Sequence, residues 1–203
     1  MNWLGLALYT FYIVGAVAAL PDLRAFRNEF NAMLDQPRIC PKTKAQESLQ
    51  FLQAQISLTP QDRLEMNGMP PEAAVKKLQM KQDLLIRRVG SECAKQIERE
   101  LPQLLQEVRD GKLENTEKLL ALVARRNFKQ TVAQICMLVA GILGVVGSVF
   151  AIVALGGCAS YVLFASASIL YWLNSPIGDM TYRIYAPSTD APRICYKPNY
   201  AII

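Results

Sequence analysis

Residues 130–178 read QTVAQICMLVAGILGVVGSVFAIVALGGCASYVLFASASILYWLNSPIG, forty-nine consecutive positions without Asp, Glu, Lys or Arg. A helix rises about 1.5 Å per residue and the hydrocarbon of a bilayer is about 30 Å thick, so the run is too long for one span and suits two. Gly156-Gly157 near its centre is the natural turn, and Arg125, Arg126 and Lys129 on one flank with Arg183 on the other are its charged borders. The run is expected to be a transmembrane helical hairpin. Small residues recur along it at helical spacing: Ala140 and Gly144, Gly144 and Ser148, Gly147 and Ala151. In lipid such pairs let two helices approach closely, so the two arms are predicted to pack on each other through Ala140, Gly144, Gly147, Ser148 and Ala151. The triplet Gly141-x-x-Gly144-x-x-Gly147 is not a nucleotide loop, because no strand precedes it and no Lys follows.

Working outward, residues 1–21 also carry no charge. Trp3 to Leu20 reads as a first span, with Trp3, Tyr9 and Tyr12 suited to an interface and Pro21-Asp22 as its stop. Ala16-Val17-Ala18 matches a signal-cleavage pattern, but the positive n-region of a secretory signal is missing, so an uncleaved span or anchor is the favoured reading.

Between the apolar blocks, residues 22–129 form a charged helical region. Leu23, Phe26, Phe30, Met33 and Leu34 make an amphipathic stripe, suited either to lie near a membrane or to pack on the rest of the chain. Beyond the breaker Gln36-Pro37 to Pro41, a second helix is expected over Thr43 to Leu58. A third, beginning at Pro71 with Glu72 in its first turn, is expected to run as the longest of the region to Val108, bent or divided at Pro102. Asp110-Gly111 closes it. Asn115 reads as the N-cap of a helix that continues without a breaker into the apolar run.

Twenty-two basic residues against seventeen acidic ones give a net charge of +5, but acids interleave with bases in 22–129 and nucleic acid is not an expected partner. Anionic lipid could still meet clusters such as Lys76, Lys77 and Lys81. Arg24, Arg27, Arg125, Arg126, Lys129 and Arg183 all flank apolar segments on the side of the charged region. By the positive-inside tendency the charged region and the tail share the cytoplasmic or equivalent side of a three-span protein.

The chain has no histidine, which removes the commonest general base, the commonest metal ligand and every Ser-His or Cys-His nucleophile. Paired carboxylates occur only on Lys- and Arg-rich helices, where solvated ion pairs are the simpler explanation. No catalytic, cofactor or metal site is expected. The spans hold no acid or base beyond Cys and Tyr, which argues against a transport path. Of five cysteines, Cys40 and Cys195 sit in similar segments, Pro-Arg-Ile-Cys. A disulfide between them requires an oxidising side, and the orientation argument favours two free thiols.

The tail, 179–203, interleaves tyrosine with proline and suits an extended arm against a partner or against the chain's own helices. Two apolar helices joined by a tight turn beside a charged helical region resemble the bilobed hairpin of chlamydial inclusion-membrane proteins. That resemblance spans 130–178 and implies a protein set in a vacuole membrane to recruit partners. The expected fold is therefore all-α: an N-terminal span (1–21), an amphipathic helical middle (22–129), a two-helix transmembrane hairpin (130–178) and an irregular tail. The expected function is a non-catalytic small subunit of a membrane assembly or a membrane-tethered scaffold, in contact with lipids and other protein subunits. The alternative is a pore-forming or membrane-remodelling protein.

Overall fold

The computed structural model describes residues 2–35, 40–67, 70–152 and 157–185, and every regular element among them is helical. Seven helices run through these residues: α1 (Asn2–Leu34), α2 (Pro41–Ile56), α3 (Pro60–Glu65), α4 (Pro71–Val89), α5 (Ser91–Arg109), α6 (Glu114–Ile152) and α7 (Gly157–Tyr185). They cluster into two compact units. The first holds α1 up to residue 26, α6 from residue 128, and α7; the second holds residues 27–127.

Several boundaries differ from the sequence expectation. Pro21 does not stop the first apolar helix, which continues through it to Leu34. Proline removes one backbone donor, and the stripe that follows compensates: Leu23, Phe26, Phe30 and Leu34 are all buried. The helix expected from Pro71 to Val108 is divided at Gly90 rather than Pro102. Gly90 adopts φ 86° and ψ 156°, backbone that residues with a Cβ avoid, and it alone joins α4 to α5. Pro102 lies inside α5.

Asn115 is not a cap either. Helix α6 begins at Glu114, with Glu117 N–H donating to Leu113 C=O, and the Asn115 side chain instead donates to Glu107 at 3.0 Å. Helix α5 ends in a Schellman turn: Gly111, at φ 81°, donates to Val108 C=O, and Lys112 donates to Glu107 C=O. Short α3 escaped the sequence reading. It is set by a capping box in which Thr59 Oγ1 accepts from Asp62 N–H while Asp62 Oδ2 accepts from Thr59 N–H.

The core of the charged unit is built from α2, α4 and α5, which pack on one another. Leu49 and Leu52 from α2, Leu85 and Val89 from α4, and Ile97 and Val108 from α5 are almost completely removed from solvent. Phe30 near the end of α1 packs on Phe51 of α2 with ring centroids 6.3 Å apart. Burial of this apolar stripe drives the unit together at roughly 25 cal/mol per Å². Lysines then close three helix C-termini, where backbone carbonyls lack intrahelical donors. Lys44 donates to Leu34 C=O, Lys42 to Arg109 C=O, and Lys81 to both Ala54 C=O and Ser57 C=O.

Candidate membrane-facing surface

The apolar unit is organised around α6. Carbon atoms built onto Gly141 and Gly144 would collide with α1: at Gly141 with Ile13 at 2.7 Å and with the Tyr9 backbone at 3.1 Å, at Gly144 with the Tyr9 ring itself. One turn further on, Ser148 is fully buried, its hydroxyl donates back to Gly144 C=O at 2.8 Å, and it lies 3.5 Å from the position of a Cβ on Gly5. Residue numbers fall along α6 as they rise along α1, so the two helices are antiparallel. A Cβ on Gly147 would lie 3.1 Å from Leu163 Cβ, on α7. Aromatic rings complete the contact of α1 with α7: Tyr9 stacks on Phe164 at 6.0 Å and Tyr12 on Tyr171 at 5.7 Å.

The small residues of α6 therefore serve two neighbours. At about 100° per residue, Gly141, Gly144 and Ser148 share one face and Ala140, Gly147 and Ala151 the next. Gly144 and Ser148, expected between the arms of the hairpin, meet α1; Gly147 meets α7. Ala140 is buried and Ala151 half-buried. A helical projection of the glycines carries this split in advance, although it does not say which helix fills the first face.

Outside, the same unit is apolar. Trp3, Leu4, Phe11 and Val14 of α1 are exposed, as are Ile135, Val139, Ile142 and Val146 along α6 and Tyr161, Val162 and Trp172 on α7. Ser148 and Ser160 point the other way and are buried. Large apolar side chains outward, with Ser148, Ser160 and the α6 glycines inward beside small apolar residues such as Ala16, Ala140 and Ala167, is not the pattern of a water-soluble surface. Among the described residues two helices are long and apolar enough to cross a membrane, with mean hydropathies of 1.8 over the α1 window and 2.2 over that of α6. The buried core helix of a soluble protein can also be that apolar, but here only 6% and 33% of the two windows are covered by the rest of the chain.

Arg24, Arg27 and Arg125 are exposed, Lys129 is half-buried, and Arg126 reaches Glu92 at 3.4 Å. Arg183 lies in the last turn of α7. Cys40 is an exposed free thiol, whereas Cys195, the rest of the tail beyond residue 185, and the Gly156 turn lie outside the described residues.

Two polar features of the charged unit were not anticipated. Asp62 binds Lys77 at 2.9 Å and also pairs with Lys81, and these two cations with the Thr59 bonds hold its carboxyl far below the usual carboxylate range. The Thr-Pro-Gln-Asp run at 59–62 was the available signal. Along α5 and the start of α6 an open groove of about 490 Å³ is lined by Arg99, Glu100, Glu107 and Lys118 among others. Hydrogen bonds from Asn115 and then Gln103 lower the Glu107 pKa. Both signs of charge line the groove, so it selects no ligand by charge. Among the described residues no group of three or more Cys, Asp or Glu gathers in a metal-binding arrangement.

No protein-family model, no curated protein and no solved structure matches this chain.

Proposed function

We propose that the chain is a non-catalytic integral membrane protein in which α1, α6 and α7 cross the bilayer as a three-helix bundle, and in which the charged helices serve as a docking platform for other subunits of a membrane assembly. The observation that carries this reading is the inverted packing of the apolar unit, with Ser148, Gly144 and Gly141 inward and Phe11, Ile142 and Trp172 outward. Dimensions support it. From Trp3 to Arg24, and equally from Phe150 back to Lys129, the helices rise about 32 Å, the thickness of the hydrocarbon. In the antiparallel register set by the Tyr9 and Gly144 contact, Arg24 and Lys129 come to the same level. Arg183 on α7 belongs at that end as well. A basic level at one end, opposite Trp3 and Tyr161 at the other, favours the charged unit on the positive side.

The pore reading gains nothing from the interior. The Ser148 hydroxyl donates to Gly144 of its own helix, so this residue is held as a packing residue and does not itself favour a pore.

Thiol labelling on sealed membranes of known orientation tests the proposal. With Cys158 and Cys195 changed to Ser, an impermeant maleimide is expected to reach Cys40 from the positive side alone, and with Cys40 changed to Ser as well, a Tyr161→Cys substitution from the opposite side alone. Labelling of both from one side overturns the three-span arrangement. Release of the protein by alkaline carbonate without detergent overturns membrane integration altogether.

A further inference from the structure

The outward face of α4 carries four charges, Glu72, Lys76, Asp83 and Arg87, all exposed. None of them forms a hydrogen bond or ion pair with any described residue. This is unusual for the helix, because its other charges are engaged: Lys77 and Lys81 with Asp62, and Arg88 with Gln55. Acid and base four residues apart, as in Glu72 with Lys76 or Asp83 with Arg87, could pair within the helix and do not. Large apolar side chains share the face: Val75 is 57% exposed, Met80 63% and Ile86 39%.

The order of the four charges is the informative part. Along the chain they run acid, base, acid, base, symmetric about the point between Gln79 and Met80. Laid antiparallel on a second copy of itself across a two-fold axis at that point, the helix sets Glu72 opposite Arg87 of the other copy and Lys76 opposite Asp83. Both pairs then occur twice. A parallel, in-register pairing sets every charge beside its own duplicate and is repelled, so the pattern selects the antiparallel arrangement. The same axis lays the flank carrying Val75 and Ile86 against the identical flank of the second copy, and brings the two Met80 side chains together at the centre. Self-complementarity of this kind is what an isologous two-fold contact demands.

We propose that α4 is a homodimerisation surface, occupied by α4 of a second copy in antiparallel register. The proposal stands apart from the membrane reading, since α4 belongs wholly to the charged unit.

The test uses the full chain in mild detergent micelles, with the protein mass read by light scattering and helicity by circular dichroism. Two variants carry it: an acidic one, K76E with R87E, and a basic one, E72K with D83K. All four positions are exposed, and Lys, Arg and Glu have similar helix propensity, so the fold is spared. Wild type is expected to be a dimer, each variant alone a monomer, and their equimolar mixture a dimer again. A single Lys76→Glu is expected to weaken dimerisation about tenfold at low salt, with the effect shrinking in 1 M salt, where the screening length is about 3 Å. With Cys40, Cys158 and Cys195 changed to Ser, Met80→Cys is expected to oxidise to a covalent dimer while Gln46→Cys on α2 does not. A wild-type monomer at every concentration overturns the proposal. So does self-association of either variant equal to wild type, or a mixture that stays monomeric. Binding of monomeric wild type to anionic vesicles, lost in the acidic variant, overturns it in favour of a lipid surface.

Discussion

At the scale of single residues, Asp62 is the most consequential polar group described. It closes the Thr59 capping box and binds Lys77 and Lys81, and through Lys81 it is tied to the C-terminus of α2. Thr59→Ala removes the hydroxyl that accepts from Asp62 N–H and donates to the Asp62 carboxylate, and is expected to cost about 1 kcal/mol, read as a lower thermal midpoint. Because the folded-state pKa of Asp62 is depressed, its contribution is present in full above the ordinary carboxylate range and is lost as pH falls below about 3.9 towards the folded value. The gap in stability between wild type and Asp62→Asn should therefore be large at pH 7 and narrow under strongly acid conditions. A gap that stays constant with pH would assign the effect to packing. The thiols offer a second contrast. Burial, the dominant cause, pushes Cys93 up to about 11, while Cys40 is exposed. Maleimide at pH 7 should modify Cys40 well before Cys93 in the folded chain, and both at similar rates after denaturation.

Among elements, the joints and the close approaches decide the arrangement. Gly90→Ala forces a Cβ into backbone at φ 86° and ψ 156° and is expected to cost about 1–3 kcal/mol. Gly144 tests the packing of α1 on α6. Gly144→Leu would overlap the Tyr9 ring and is expected to cost about 1–3 kcal/mol or dislodge α1, read as protease sensitivity of the N-terminal helix. Gly15→Leu is the internal control: nothing lies within 4 Å of its side-chain position, and the change should stay within about 0.5 kcal/mol. Much of this level was legible in advance. Pro71 at the start of α4 and Gly111 after α5 carry local backbone rules that hold whatever the chain packs against. Pro21 was misread because its cost is also local, but the burial of Leu23, Phe26 and Phe30 that outweighs it is not.

For the whole molecule, the two units obey opposite rules of composition. The charged unit buries leucine, isoleucine and valine and exposes most of its ions, Lys44 and Asp62 apart; in the apolar unit Ser148 and Ser160 are buried while Trp3, Phe11, Ile142 and Trp172 are exposed. A polar substitution on the outer face tests the proposed membrane placement. Ile142→Asp, 48% exposed, is expected to impair membrane insertion and lower the yield in the detergent-extracted fraction. Asp at Leu64, 74% exposed in the charged unit, should leave that yield unchanged.

The amino-acid sequence by itself determined that the described residues are helical, where the uncharged segments lie, and that no histidine is present. Charge content, breaker residues and the length of an apolar run act through nearest neighbours along the chain, so they are readable in one dimension. The tertiary structure alone decided that Gly141 and Gly144 receive α1 while Gly147 receives α7, and that Asp62 gathers lysines fifteen and nineteen residues further along. A stripe of small residues has the same composition whichever helix lies against it. A carboxylate likewise shows nothing of a lysine that only folding brings near, because both facts depend on distances between backbones that local sequence does not contain.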